Sequence, residues 1–290
     1  MGYLLILINQ AAHQVEGMLV RRYGKKHGAG GLFFNAIICL FAMFFFVLTD
    51  KGGFYFPKEL WLYGFVSCLM FAAGFYSMYL ALQLGSYAIS RLISSFSGVF
   101  AIVYGLVFLK EPAGVMTYIA FILVFASVFL MNYKTGGKEN EEEKGFSVKW
   151  LICVLVALVS NGMIAVLSRM QQIRFENACD NEFMMLSLGG AFAALMLIGL
   201  VTERGKLKQI LKYGMLYGGI AGLMNGAANL LNLATYLFLP ISVVTPIRTG
   251  LGIVTNFVIS VLVYKEKFTR RQLVSAVIGV LALVLLKLGQ

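Results

Sequence analysis

Apolar residues run along this chain in blocks of about twenty, the length an α-helix needs to cross about 30 Å of hydrocarbon. Breaks of glycine, proline or charge separate ten such blocks, at 3–20, 29–49, 60–82, 87–109, 113–132, 149–171, 182–202, 212–238, 241–264 and 271–288. Each predicts a transmembrane helix. Lipid leaves only helices or closed barrels able to satisfy every backbone group, and a barrel would alternate polar and apolar residues within short segments. The expected fold class is therefore all-α, with ten membrane spans. The first block contains Asn9, Gln10, His13, Gln14 and Glu16, and no basic stretch precedes it, so it reads as a retained helix and not as a signal peptide.

The connections are short except between Lys134 and Lys149, where Glu141, Glu142 and Glu143 follow two glycines. This predicts a first five-helix repeat over 1–133, a polar acidic hinge over 134–148, and a second repeat over 149–290. A shift of 155 positions lays Gly64, Ala72, Ala73, Lys110 and Glu111 on Gly219, Ala227, Ala228, Lys265 and Glu266, so a lysine–glutamate pair ends the equivalent span in both halves. Five is odd, so a second copy enters the membrane upside down. Two inverted repeats around a central cavity is the expected architecture.

Composition agrees with this pattern. The chain is 60% hydrophobic and 13% charged, against about half and about a quarter in soluble domains. A net charge of +11 would suggest nucleic acid in a soluble protein, but here the cations collect in loops, so membrane orientation accounts for them and no nucleic-acid partner is expected. Arg21, Arg22, Lys25 and Lys26 fall on the side of the hinge, of the Arg204–Lys212 loop and of the Lys265–Arg271 loop; the other side holds about a third as many. That count places both termini outside a multi-pass bacterial plasma or inner membrane protein. Cys39, Cys68, Cys153 and Cys179 show no paired spacing and read as packing residues, with neither metal nor cofactor implied.

Polar side chains within hydrocarbon default to a functional reading. On the first helix Asn9, His13 and Glu16 share one face, and a carboxylate beside an imidazole suits proton coupling, with interfacial pairing to Arg21 as the alternative. On the eighth, Asn225, Asn229, Asn232 and Tyr236 form a stripe that can line a polar path or glue helices together. Gly214, Gly218, Gly222 and Gly226 form a separate ridge of that helix and predict close backbone packing. Arg91 and Arg248 lie at nearly corresponding places in the fourth and ninth spans, where each would either snorkel to headgroups or clamp an anion. Ser94 accompanies the first, and Thr245 and Thr249 the second. Pro240 and Pro246 predict an irregular start to the ninth helix.

The sequence lacks a Gly-x-x-x-x-Gly-Lys-Ser/Thr phosphate loop and a Gly-x-Ser-x-Gly elbow, and its histidines are His13 and His27 alone. This argues against an ATP-driven pump and against an enzyme.

The segments Val107–Pro112 and Leu262–Gln272, each containing Lys-Glu, followed by Gly279 and Val280, resemble the drug/metabolite transporter superfamily, EamA-type branch. The chain departs from that pattern where lysine precedes Glu111 and Glu266 in place of glycine. The resemblance implies a basket of helices around a cavity lined by the third, fourth, eighth and ninth spans. Relatives export amino acids and other metabolites, or exchange sugar phosphates and nucleotide sugars using basic residues on the fourth and ninth helices. Both termini would be cytoplasmic by this resemblance, against the charge count.

The resulting expectation is a secondary active transporter, exporter or exchanger, of a small anionic or zwitterionic metabolite such as an amino acid. Its partners would be the lipid bilayer, that substrate and coupled protons. Proton-coupled export of lipophilic cations through Glu16, or a non-transporting sensor or scaffold, are the competing readings.

Overall fold

The computed structural model describes residues 1–27, 30–50, 52–84, 90, 97–110, 114–132 and 147–262, with 274, 277–278, 281–282 and 285. Among the described residues there is no strand. The described residues include nine helices longer than one turn: α1 (Gly2–His27), α2 (Gly31–Thr49), α3 (Lys58–Leu84), α4 (Gly98–Val103, prolonged by a π turn over Tyr104–Phe108), α5 (Val115–Asn132), α6 (Val148–Arg174), α7 (Asp180–Thr202), α8 (Met215–Tyr236) and α9 (Ile241–Leu262). Between α7 and α8 the chain passes through a 3₁₀ turn (Arg204–Lys206), one α turn (Leu207–Gln209) and a π turn (Ile210–Gly214). Of the tenth predicted span six residues are described, all helical. Most of the predicted hinge lies outside the described residues.

The helices differ from the predicted spans mainly at their ends. α1 continues past residue 20 through Arg21, Arg22 and Lys26, because cations at a helix end lengthen the helix into the headgroup region without breaking it. The expected irregular start of the ninth span is not found, since α9 runs unbroken through Pro246. So near the start of the helix, proline removes one amide donor, and the amides of Val243 and Val244 already anchor the first turn on the Pro240 carbonyl, both at 3.0 Å.

Among the described residues α2, α3, α6 and α7 are long and apolar enough to cross a membrane. α1, α8 and α9 carry polar side chains instead, and these turn inward. α2 and α7 pack against each other through Leu32, Ala36, Cys39, Phe46, Phe183, Leu188, Ala191 and Leu195, all nearly inaccessible. The glycine ridge of α8 meets α2 as expected: a Cβ at Gly222 would stand 2.6 Å from the Ile38 carbonyl oxygen, and one at Gly226 2.7 Å from Phe45 Cβ. All four cysteines are free, and Cys39, Cys68 and Cys179 are buried.

The packed pairs form a matched set. α1 lies on α8 as α3 lies on α6; α2 lies on α8 as α3 lies on α7; α1 touches α9 as α4 touches α6; and α2 pairs with α7 as α4 pairs with α9. Exchanging α1–α4 for α6–α9 in order leaves this set unchanged.

The ends of α2 and α7 show the same correspondence at the level of side chains. Each finishes in threonine followed by an acid. The Thr49 hydroxyl donates to the Phe45 carbonyl at 2.9 Å and that of Thr202 to Ile198 at 2.8 Å. Asp50 then accepts from Asn181 at the head of α7 at 3.3 Å, while Glu203 accepts the Leu32 amide at the head of α2 at 2.9 Å. Gly31 sits at φ +66° directly beneath Glu203, where a Cβ would come within 2.5 Å of the carboxylate. Only glycine fits both demands.

Candidate functional site

α8 carries its asparagines on one stripe because residues 225, 229 and 232 recur at the helical repeat. The Asn225 Nδ2 donates to Glu16 Oε1 on α1 at 3.0 Å, and Asn229 Nδ2 donates to Asn225 Oδ1 at 2.9 Å. The other oxygen of Glu16 meets His13 Nδ1 at 3.2 Å. One turn further along α8, Asn232 Nδ2 donates to the Tyr236 hydroxyl at 3.2 Å, and Arg248 Nη1 donates to Asn232 Oδ1 at 2.8 Å. Glu16, the asparagines and Arg248 thus share one polar ladder along α8, made of two hydrogen-bonded groups, Glu16 with Asn225 and Asn229, and Arg248 with Asn232 and Tyr236.

α1 is fixed on two sides by its polar residues. Asn9 Nδ2 reaches the Ala228 carbonyl of α8 at 2.5 Å, while Gln10 and Gln14 both donate to Thr255 Oγ1 of α9, at 3.2 and 3.0 Å. Asn9 and Gln10 are buried, whereas Glu16 and His13 keep 17% and 36% of their side-chain surface exposed.

Arg248 is half-buried, and its partner among the described residues is a neutral carboxamide. A guanidinium has five donors, so one bond to Asn232 leaves donors for an anion. Tyr236 is buried to 2% and closes the end of the ladder instead of lining open space. Thr245 and Thr249 stand on the α4 side of α9: a Cβ at Gly98 would lie 2.7 Å from Thr245 Cγ2, and the Thr249 hydroxyl turns back to the Thr245 carbonyl at 2.9 Å. Arg91 and Ser94 lie outside the described residues.

Three polar groups escaped the sequence reading. Arg169 of α6 donates to the Tyr236 carbonyl at 3.1 Å, and its Nε has no partner among the described residues. Gln172 donates to the Leu233 carbonyl at 3.1 Å and to Asp180 at 2.9 Å. These two side chains satisfy the orphan carbonyls that end α8. An arginine two residues inside a predicted span was the available signal.

The third group lies at the opposite end of the bundle. Glu203 accepts from the Tyr79 hydroxyl, from Lys206 Nζ at 2.6 Å and from the Leu32 amide, at the wall of a 320 Å³ cleft that Tyr76, Gln83 and Thr202 also line. Burial alone would raise its carboxyl, but the three donors outweigh burial and hold it below the usual carboxylate range. The hydrogen bond to Glu203 correspondingly raises Lys206. The repeated Thr49-Asp50 and Thr202-Glu203 endings were the missed sign of this cluster.

Charge is sorted between the two ends. His27 stacks on Tyr213 with ring centres 4.8 Å apart, and Gln209 donates to the His27 carbonyl, so Arg21, Arg22 and Lys26 share one end with Arg204, Lys206, Lys208 and Lys212. At the other end Arg174 pairs with Glu59 at 2.7 Å, among Asp50, Asp180 and Glu182.

Comparison with known proteins bears on what such a bundle does. No curated protein matches the chain. A solved structure titled only "Crystal structure of protein" superimposes with a TM-score of 0.66 over 98% of both chains at 14% identity, which establishes a shared fold. The model of the EamA-like transporter family matches residues 1–133 and 148–288, the two stretches on either side of the acidic segment. With its apolar helices, this makes the protein a multi-pass membrane protein, and the chain belongs to the EamA-like transporter family.

Proposed function

We propose that this protein is a secondary active transporter that exports or exchanges a small anionic or zwitterionic metabolite by alternating access. The single observation that carries this reading is Arg248 resting on Asn232 at 2.8 Å, a charged fork held by a neutral group beside a run of asparagines. A half-buried cation that has no counter-ion among the described residues is costly to desolvate, and an incoming carboxylate or phosphate relieves that cost. Arg91 and Ser94 contribute from the fourth span. The exchangeable set of helix pairs supports two inverted repeats over 1–133 and 149–290, joined by the 134–148 segment, with the ladder near the middle of the membrane.

The Glu16–His13 pair at 3.2 Å is the coupling element in this proposal, taking a proton when the substrate leaves. By the positive-inside rule the sorted charge supports an orientation with the basic end cytoplasmic and the start of α1 outside, against the orientation that the resemblance implies.

The test is transport and ligand-induced thermal stabilisation of the purified protein with anionic and zwitterionic metabolites. Arg248→Gln should abolish both while leaving a monodisperse protein in the membrane; unchanged transport by that variant would sink the assignment. A second reading, proton-coupled export of lipophilic cations, is favoured by Glu16 standing on the ladder as a largely buried carboxylate that keeps 17% of its side-chain surface exposed. Stabilisation by quaternary cations alone, lost in Glu16→Gln, would select it.

A further inference from the structure

Glu16 and Arg248 are held at opposite ends of one stripe of α8. Glu16 is bound by Asn225 at 3.0 Å and Arg248 by Asn232 at 2.8 Å. The two anchors stand seven residues apart on a continuous helix, which at about 1.5 Å per residue is about 10 Å along the axis. Asn229 lies between them with its own carboxamide.

This spacing discriminates among zwitterions. In a single α-amino acid the nitrogen and the carboxyl carbon are about 2.5 Å apart, so it reaches one end of the stripe and leaves the other charge without a partner. An extended chain advances about 3.6 Å per residue, which puts the amino nitrogen and carboxyl carbon of a tripeptide about 10 Å apart. We propose, resting on the transport reading above, that the substrate is an extended zwitterion of tripeptide length. Its carboxylate lies on Arg248, its ammonium on Glu16, and its central amides on Asn229. His13 keeps Glu16 oriented by holding Oε2, while Asn225 holds Oε1. The Nδ2 of Asn229 is spent on the carbonyl and the Oδ1 of Asn225, at 3.0 and 2.9 Å, so its own Oδ1 is the atom that accepts from a peptide N–H.

The experiment is a thermal-shift titration of the purified full-length protein in detergent with glycine, diglycine, triglycine, tetraglycine and N-acetyltriglycine. Triglycine should bind at least about tenfold more tightly than glycine, and blocking its ammonium in N-acetyltriglycine should cost about tenfold. Glu16→Gln should bind triglycine and N-acetyltriglycine equally, and Arg248→Gln should bind neither. Arg248→Lys, which keeps the charge without the fork, should retain a weakened triglycine response, and size-exclusion elution shows whether each variant is folded. Glycine or another single amino acid stabilising as strongly as triglycine, with the effect lost in Arg248→Gln, would overturn the length assignment and leave the anion-transport reading standing. No response to any oligoglycine would overturn it as well; loss of the transport reading itself would require that Arg248→Gln also leave transport of every metabolite unchanged.

Discussion

Glu203, the first residue beyond α7, accepts the amide of Leu32 at 2.9 Å, so the end of one helix caps the start of another 171 positions earlier. The carboxyl sits below its ordinary value, which fixes the sign of its contribution. Its stabilising effect is present above the ordinary carboxylate value, about 4.3, and is lost as pH falls through the lower folded-state value. Lys206 is raised, so its contribution is present below about 10.4 and is lost as pH climbs past the raised value. The melting temperature of the purified protein should therefore fall on acidification below about pH 4. Glu203→Gln should melt lower at neutral pH and show a shallower acid limb. A variant with an unaltered acid limb would remove Glu203 from the account.

Arg248 depends on Asn232 for its position. Asn232→Leu removes the acceptor and leaves the guanidinium unplaced, for which a loss of about 1 to 3 kcal/mol is expected. The corresponding readout is a fall in substrate affinity of about tenfold with the transport direction unchanged. Asn232→Asp should have the opposite effect on occupancy of the arginine, tying it in an internal ion pair and lowering affinity for anions further than Asn232→Leu does. Equal affinities in all three proteins would show that Asn232 does not position Arg248.

The ridge of α8 leaves no room at Gly222, where a Cβ would meet backbone at 2.6 Å. Overpacking of this kind costs about 1 to 3 kcal/mol. Gly222→Ala should lower the melting temperature by several degrees, whereas Gly17→Ala, on α1 with open space around it, should be neutral. Urea or thermal melts of the two variants side by side separate packing from a general dislike of alanine.

Orientation is open to direct labelling. Gly52 and Gly205 lie at opposite ends of the bundle, and a side chain at either meets nothing within 4 Å. In intact cells a membrane-impermeant maleimide should modify Gly52→Cys and spare Gly205→Cys. The reverse pattern would return both termini to the cytoplasm.

The helical architecture was legible because apolar length is a physical requirement of the bilayer, and so was the packing role of Gly214, Gly218, Gly222 and Gly226, which share a helix face and meet α2 there. Sequence also picked out Glu16, His13, Asn225, Asn229, Asn232 and Arg248, since polar groups inside apolar blocks are rare. Their connection into one ladder was not legible: Asn225 and Glu16 are 209 positions apart, and periodicity reports a face but not what it faces. Arg169 and Gln172 were not legible because the carbonyls they serve, on Tyr236 and Leu233 of α8, lie 67 and 61 positions away. Glu203 lay one residue beyond a predicted span and so counted as loop. The same one-residue displacement hid Asp50, although Thr-Asp and Thr-Glu at the two helix ends repeat the same chemistry.

The wedging of α1 also bears on which parts can move as units. Asn9 and Glu16 fasten it to α8, Gln10 and Gln14 fasten it to α9, and α6 lies in the same way against α3 and α4. The opening helix of each half is therefore lodged in the other half, like two hands with interlaced thumbs. Cutting the chain in the acidic segment would divide the polypeptide but not the machine: fragments 1–133 and 149–290 made together should find each other and work, and either made alone would lack the helix on which its own polar face closes.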